Sequence, residues 1–187
     1  MELITPRLRI REFAESDYPA LRDMDTRAEF NTYEREFVSE AETRTSIDES
    51  LSTQLEVPRT VYRLAITIIP VDTAKGVIKI SRQHEKIREW EVGWAMHPDE
   101  WGQGYATEAA GRIIDWAFRE CNVHRVVAFC HACNAASVRV MENLGMQRDG
   151  VLRETRWLNG AWWDEYVYAI LEIEWSKTKK HSGFIPL

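Results

Sequence analysis

Three consecutive strand-like segments, followed at once by a long amphipathic helix, constrain the fold more than any other feature of this chain. The segments are residues 60–69, 76–82 and 88–96, and they are rich in β-branched or alternating apolar residues. The short turns between them favour antiparallel pairing. Residues 106–118 then place apolar side chains at helical spacing. This order predicts a mostly antiparallel sheet carrying a helix and disagrees with a doubly wound parallel fold.

The N-terminal residues predict one more strand and two helices. Residues 8–13 alternate apolar and charged side chains with the period of a half-buried strand. Ser16 precedes an early proline and is typical of a helix start. Residues 39–42 form a capping box, S-x-x-E, in front of a polar helix.

The C-terminal residues predict a strand, a helix and a hairpin. The strand is the short apolar run 124–130, and Gly145 ends the helix that follows it. Two further strands, 151–158 and 162–175, flank Asn159-Gly160, the strongest short signal for a hairpin. We therefore predict an α+β domain whose mixed, mostly antiparallel sheet is flanked by four helices.

Length and charge limit the class of protein. The 187 residues suit one domain, predicted over 1–175, with 176–187 as a loosely held tail. The net charge of −6 argues against binding to nucleic acid and permits a cationic partner. There is no apolar run of the kind that a signal peptide or a membrane span needs. We expect a cytoplasmic protein that binds neither nucleic acid nor membrane, with its three cysteines reduced.

The turn before the long helix, W-G-Q-G-Y-A-T at 101–107, has the features of an anion site. A Gly-rich turn into a helix leaves the first N–H groups without partners, and these amides attract an anion. Gly102 and Gly104 would let a phosphate approach the backbone. An isolated G-x-G, however, is more often a plain corner. A dinucleotide fold would need a small residue in place of Thr107 and an acid after the next strand, and both are missing.

The order of elements, with WGQGYATEA entering a long helix and N-x-x-S-V-x-V-M-E-N-L-G-M on the next, resembles the GCN5-related N-acetyltransferases (GNAT). Within them it is most similar to the branch that acetylates the N-terminal alanine of ribosomal proteins. The resemblance spans nearly the whole chain and implies that the fourth and fifth predicted strands, 88–96 and 124–130, splay apart. It also implies an enzyme that uses acetyl-CoA as co-substrate.

The resemblance implies direct attack of a primary amine on the thioester of acetyl-CoA. The acceptor would be a protein N-terminus, such as that of a ribosomal protein, or a small cationic amine, and the enzyme a monomer or a homodimer. Acetyl-CoA would bind through its pyrophosphate to the backbone of the turn and through its pantetheine arm to the strand before it. The implied binding residues are Ala95, Met96, Trp101, Gly102, Gln103, Gly104, Tyr105, Ala106, Thr107, Asn134, Ser137 and Met141. Trp101 stands where the family usually has glutamine or arginine.

Three residues are implied as candidates for the proton transfers. Glu91 matches the strand position at which several relatives carry a general base. Glu154 is a second candidate, although Arg156 occupies the position of the carboxylate found in the ribosomal branch. Many relatives protonate the thiolate with a tyrosine, which is Met141 here and cannot donate a proton. Ser137 matches a serine proposed for that role, while helix capping is the simpler explanation for it.

Other residues have weaker claims to function. Cys130 and Cys133 form a single C-x-x-C, a poor zinc site, so we expect no metal. His97 and His131 flank the predicted groove but stay outside the catalytic set. Segment 30–37 is expected to shape the acceptor pocket. Acidic residues in and near it would suit a cation or form a solvated face: Asp25, Glu29, Glu34 and Glu36.

The aromatic residues and Met141 leave two further interpretations open. Tryptophans gathered on the predicted final hairpin are more often core or subunit contacts than an acceptor cage: Trp157, Trp162, Trp163 and Trp175. Met141 at the acid position keeps a non-catalytic acyl-CoA-binding module as the alternative function. A dinucleotide-binding oxidoreductase is a third possibility, which NAD(P)H binding would reveal.

Overall fold

A computed structural model describes residues 1–33 and 38–182, with side chains given as far as Lys177. Its strands are β1 (Glu2–Ile4), β2 (Leu8–Glu12), β3 (Val61–Ile68), β4 (Ala74–His84), β5 (Glu89–Met96), β6 (Arg125–His131), β7 (Gln147–Leu158) and β8 (Ala161–Leu171). The α-helices in the described part of the chain are α1 (Tyr18–Thr26), α2 (Glu40–Thr53), α3 (Tyr105–Glu120), α4 (Ala135–Asn143) and α5 (Glu172–Ser182). Short 3-10 helices precede α1 and follow β5.

All eight strands form one sheet in the order β1-β2-β3-β4-β5-β6-β8-β7. Every neighbouring pair is antiparallel except β5 and β6, which are parallel. These two strands pair only at Glu89–Arg125, Trp90–Val126 and Glu91–Val127. Beyond Glu91 they continue without pairing, to Met96 and His131. The predicted α+β class, mixed sheet and splayed strands are therefore confirmed.

The two faces of the sheet carry different helices. On one face, α3 packs against β5 and β4, α4 against β6 and α5 against β8, and this face holds the larger apolar core. On the other face, α1 and α2 cover β4 and β3 and enclose a smaller core around Phe13, Met24 and Ile47. Trp90, Val92 and Met96 of β5 belong to the larger core. Because strand side chains alternate, the odd-numbered residues of β5 lie on the face of α1 and α2.

Local signals in the sequence form the structures that they predict. Ser39 and Glu42 cap α2 reciprocally, with the Glu42 amide donating to Ser39 Oγ at 3.2 Å and the Ser39 amide donating to Glu42 Oε2 at 2.7 Å. Asn159 and Gly160, with φ of 52° and 74°, turn β7 into β8. Both features depend only on neighbouring residues, which is why pattern alone identifies them.

The structure corrects the prediction at both ends of the chain. Residues 2–4 form a first strand, β1, paired with β2, which the sequence analysis did not identify. The final strand ends at Leu171 rather than near Trp175, and α5 then covers most of the segment predicted as a tail. The described part of the chain thus has five α-helices rather than four. None of the described helices is long and apolar enough to cross a membrane.

Candidate active site

The turn at 101–104 presents its backbone to solvent. Gly102 and Gly104 have φ of 76° and 79°, a conformation that glycine adopts without steric cost. Gly104 is the N-cap of α3 and has no side chain to cap it. Within the described residues, none of the amides from Gly102 to Thr107 donates a hydrogen bond to a protein acceptor. The predicted anion site therefore has the free amides that it needs.

Trp101, the first residue of the turn, is hydrogen-bonded to the end of β5. Its indole Nε1 donates to the carbonyl oxygen of Met96 at 2.7 Å, and about half of the side chain stays exposed. The Met96 carbonyl therefore already has a partner, while the Met96 side chain lies in the core. The edge of β5 that faces β6 has no partner strand between Val92 and Met96 among the described residues. Pairing with a pantetheine arm is thus open to the backbone near Ala95.

Glu91 stands at the last paired position before β5 and β6 separate. Its carboxylate forms no hydrogen bond or ion pair with any described residue, although it is partly buried. Burial raises the pKa of this carboxyl, Lys79 opposes the increase, and Glu165 adds to it. A carboxylate without a partner and with a raised pKa is a stronger proton acceptor than an ordinary surface carboxylate.

Glu154 lies in an irregular part of β7, apart from regular strand pairing. The register with β8 shifts between Leu152 and Arg156, and Glu154 has a left-handed φ of 52° within this shift. Its amide donates to Asp164 Oδ1 at 2.9 Å, and its side chain is exposed. Arg156, two residues on, donates from Nε to Glu165 at 2.6 Å. Arg156 and Glu165 therefore form the ion pair near Glu91, and Glu154 does not.

Asn134 and Ser137 lie at the start of α4, just beyond the end of β6. The Asn134 side chain caps the helix by accepting from the Ser137 amide at 3.0 Å. The Ser137 hydroxyl is partly exposed and has no hydrogen bond to a described residue. Met141, one turn further, is fully buried in the core. The contact of Met141 with the co-substrate stays a prediction; in this structure its side chain packs within the larger core.

The two histidines at the strand ends are buried and have structural partners. His97 Nδ1 accepts from the Asp99 amide at 3.2 Å, and its Nε2 lies 3.1 Å from Asp23 on α1. His131 Nδ1 accepts from the Cys133 amide at 3.1 Å. Its ring lies between Tyr33 and Trp163, with ring centroids 5.3 and 4.9 Å away. Among the described residues, no group of three His, Cys, Asp or Glu side chains is placed to hold a metal ion.

The structure brings Tyr33 across from the segment after α1 to the end of β6. The Tyr33 carbonyl accepts from Arg156 Nη1 at 3.5 Å, so the α1–α2 connection reaches the β7–β8 hairpin. That residues 30–37 shape an acceptor pocket stays a prediction, and 34–37, with Glu34 and Glu36, lie outside the described residues. Asp25 is buried and accepts from Thr43 at 2.7 Å, so it is not part of an open acidic surface.

Tryptophans of the C-terminal region divide between surface and core. Trp157 and Trp162 pack edge to face on the hairpin, and each is more than half exposed. Trp175 lies on α5 rather than on the hairpin and is buried.

Several residues near the candidate site cannot be identified from sequence pattern, because their partners are distant in the chain. Arg7 and Thr5 both contact Glu108, more than 100 residues away, at the start of α3. Lys79 and Glu165 come near Glu91 only through the sheet. Strand alternation could have placed Lys79 on the same face as Glu91, but no local pattern identifies the contacts of Arg7.

Comparison with known proteins agrees with this geometry. The family described as acetyltransferase (GNAT) domain matches residues 7–147. The uncharacterised N-acetyltransferase YnaD of Bacillus subtilis is 32% identical over 177 residues, which are 94% of this chain and 100% of that protein. The match therefore extends along both chains.

Solved structures give the same result. A GNAT-family acetyltransferase from Bacillus anthracis superposes with a TM-score of 0.81 at 30% identity, over 93% of this chain and 100% of that one. The ribosomal-protein-S5-alanine acetyltransferase from Vibrio fischeri also has a TM-score of 0.81, over 94% and 98% of the two chains, but at 19% identity. The second likeness concerns the fold alone.

Proposed function

The chain belongs to the GNAT family of N-acetyltransferases, and from that premise we propose that it transfers the acetyl group of acetyl-CoA to a primary amine by direct attack. The acceptor is a protein N-terminus, such as that of a ribosomal protein, or a small cationic amine. The observation that carries the proposal is Glu91, a partly buried carboxylate without a partner among the described residues, at the point where β5 and β6 separate.

Acetyl-CoA binds along the opening between these strands. The amides from Gly102 to Thr107 hold the pyrophosphate, because their N–H groups can donate to its oxygens. The positive end of the α3 dipole lies at the same place and attracts the anion. The pantetheine arm pairs with the free edge of β5 near Ala95. This arrangement brings the thioester to the opening, where the amine approaches from the face that carries Glu91.

The chemical step needs two proton transfers. Glu91 takes the proton from the acceptor ammonium, and the free amine attacks the carbonyl carbon of the thioester. The C–N bond forms as the C–S bond breaks. The attacking nitrogen loses its second proton as the amide forms, and Ser137 relays it: the hydroxyl, which has no partner among the described residues, donates its own proton to the leaving thiolate of CoA and takes up the proton from nitrogen.

A thiol-release assay tests the proposal. Acetyl-CoA is offered with peptides bearing free N-termini, polyamines and aminoglycosides. We expect release that depends on at least one acceptor and falls at least about 100-fold in Glu91→Gln, the lower end of the usual contribution of a general base. Glu85→Gln is the matched control, because Glu85 is exposed on the β4–β5 hairpin. CoA binding without release for any acceptor would instead favour a non-catalytic acyl-CoA-binding module.

A further inference from the structure

Arg7 lies against the turn that precedes α3. Its Nη1 donates to the carbonyl oxygen of Gln103 at 2.9 Å. Its guanidinium also stacks over the Tyr105 ring, 4.7 Å from the centroid. A Cβ added to Gly104 would meet Arg7 Nη2 at 3.6 Å. The cation is thus within van der Waals distance of the backbone whose amides face the anion site.

Glu108 holds Arg7 in this position. Arg7 Nε donates to Glu108 Oε2 at 2.6 Å, and the Arg7 amide donates to Oε1 at 3.2 Å. Thr5 Oγ1 donates to the same Oε1 at 2.6 Å. The Glu108 side chain is mostly buried, whereas about half of the Arg7 side chain is exposed. The charged end of Arg7 is therefore fixed on one side and open to solvent on the other.

The negative charge of Glu108 disfavours an anion at the start of α3 unless the positive charge of Arg7 offsets it. Glu108 lies in the first turn of α3, where its negative charge opposes binding of a phosphate to the free amides. Arg7 compensates that charge. A guanidinium has five N–H groups, and the contacts with Glu108 and Gln103 leave N–H groups of Nη1 and Nη2 without an acceptor among the described residues.

We propose that Arg7 is a phosphate-binding residue that donates directly to the pyrophosphate of acetyl-CoA, beside the amides of the turn. Arginine suits this role because its planar fork binds phosphate oxygens in a fixed geometry. The inference rests on the proposed function, since it takes the turn to be the acetyl-CoA site.

Calorimetric titration of the full chain with CoA, 3′-dephospho-CoA and pantetheine tests the assignment. Arg7→Gln should raise the Kd for CoA and for dephospho-CoA about tenfold, the loss expected for one hydrogen bond to a charged group. Binding of pantetheine, which lacks phosphate, should change less than about twofold by the same argument. Arg7→Lys should fall in between. Arg9→Gln is the matched control, because Arg9 is equally exposed and pairs with Glu2 and Asp72 away from the turn.

A double variant separates direct binding from neutralisation of Glu108. If Arg7 donates to the phosphate, Arg7→Gln/Glu108→Gln still binds CoA at least about fivefold more weakly than the wild type. Recovery of wild-type affinity in the double variant would overturn the proposal. Three results with Arg7→Gln would also overturn it: an equal loss of affinity for pantetheine, a loss of affinity for CoA but not for 3′-dephospho-CoA, or no loss of affinity for any of the three ligands. If Arg7→Gln weakens CoA binding as expected but the wild type releases no thiol with any acceptor, the proposed function is contradicted and the role of Arg7 is not.

Discussion

At the scale of single residues, Glu91 combines burial with the lack of a partner in the described chain. Burial raises its pKa, and Lys79 on the neighbouring strand opposes this increase. In the proposed mechanism Glu91 must be deprotonated to act, so we expect activity to fall as the pH drops through this raised pKa. We therefore expect the acid limb of the pH profile to depend on the surroundings of Glu91.

Removing the Lys79 charge should move that profile. Lys79→Gln takes away an interaction that lowers the pKa of Glu91, so the acid limb of kcat/KM should shift to higher pH. Lys86→Gln, on the exposed β4–β5 hairpin, should leave the limb in place. Steady-state kinetics across pH measures both. An unmoved limb in Lys79→Gln would mean that another group titrates.

Ser137 offers a second test at this scale. Ser137→Ala should lower kcat by at least about tenfold, a conservative lower bound beside the ~100-fold or more that a positioned proton donor usually contributes. The KM for acetyl-CoA should change little, because the capping bond from Asn134 uses the Ser137 amide and not its hydroxyl. Ser52→Ala, on α2, is the control. Turnover equal to that of the wild type would remove Ser137 from the mechanism.

At the scale of elements, the junction between β5 and α3 depends on glycine. Gly104 has a left-handed φ, and a Cβ there would touch only Arg7 at an ordinary distance of 3.6 Å. A side chain at this position is therefore unfavourable because of the left-handed backbone conformation and not because of a steric clash with neighbouring residues. The same conformation turns the free amides of the helix outward.

Gly104→Ala should accordingly lower the free energy of unfolding by about 1–2 kcal/mol, the cost of placing an L-residue in the left-handed region. Gly93→Ala is the control for stability, because its φ is not positive and a Cβ would meet no atom within 4 Å. Denaturant unfolding measures both variants. Equal stability of Gly104→Ala and the wild type would show that the turn relaxes to another conformation.

At the scale of the whole molecule, α5 completes the larger core. Trp175 is buried, its Nε1 lies 3.2 Å from Asp115 Oδ1, and its ring packs on Phe118 of α3 with centroids 6.3 Å apart. The last helix is thereby tied to the helix that begins at the predicted pyrophosphate turn. The residues after Leu171, predicted as the end of a strand, are thus the start of a helix that packs on the core.

Trp175→Ala should lower the free energy of unfolding by about 3–5 kcal/mol, the range for removing a large buried aromatic side chain. Trp162→Ala should cost less than about 1 kcal/mol, because this side chain is more than half exposed and loses little buried area. Thermal and denaturant unfolding compare the two. Similar losses in both variants would contradict the docking of α5.

Sequence pattern by itself determined the features that depend on near neighbours. The period-two strands, the capping box at Ser39 and the Asn159-Gly160 turn all follow from residues a few positions apart. The α+β class follows from the order of such elements. The GNAT family followed from two motifs in that order, WGQGYATEA and the helix after β6.

Only the tertiary structure decided what depends on distant residues. It placed Met141 in the core, put Glu154 in an irregular part of β7, and folded residues after Leu171 into α5. It also brought Arg7 to the turn through Glu108. The physical reason is the same in each case: burial, charge compensation and helix docking arise from contacts between elements, and the pattern within one element does not contain the identity of its partner.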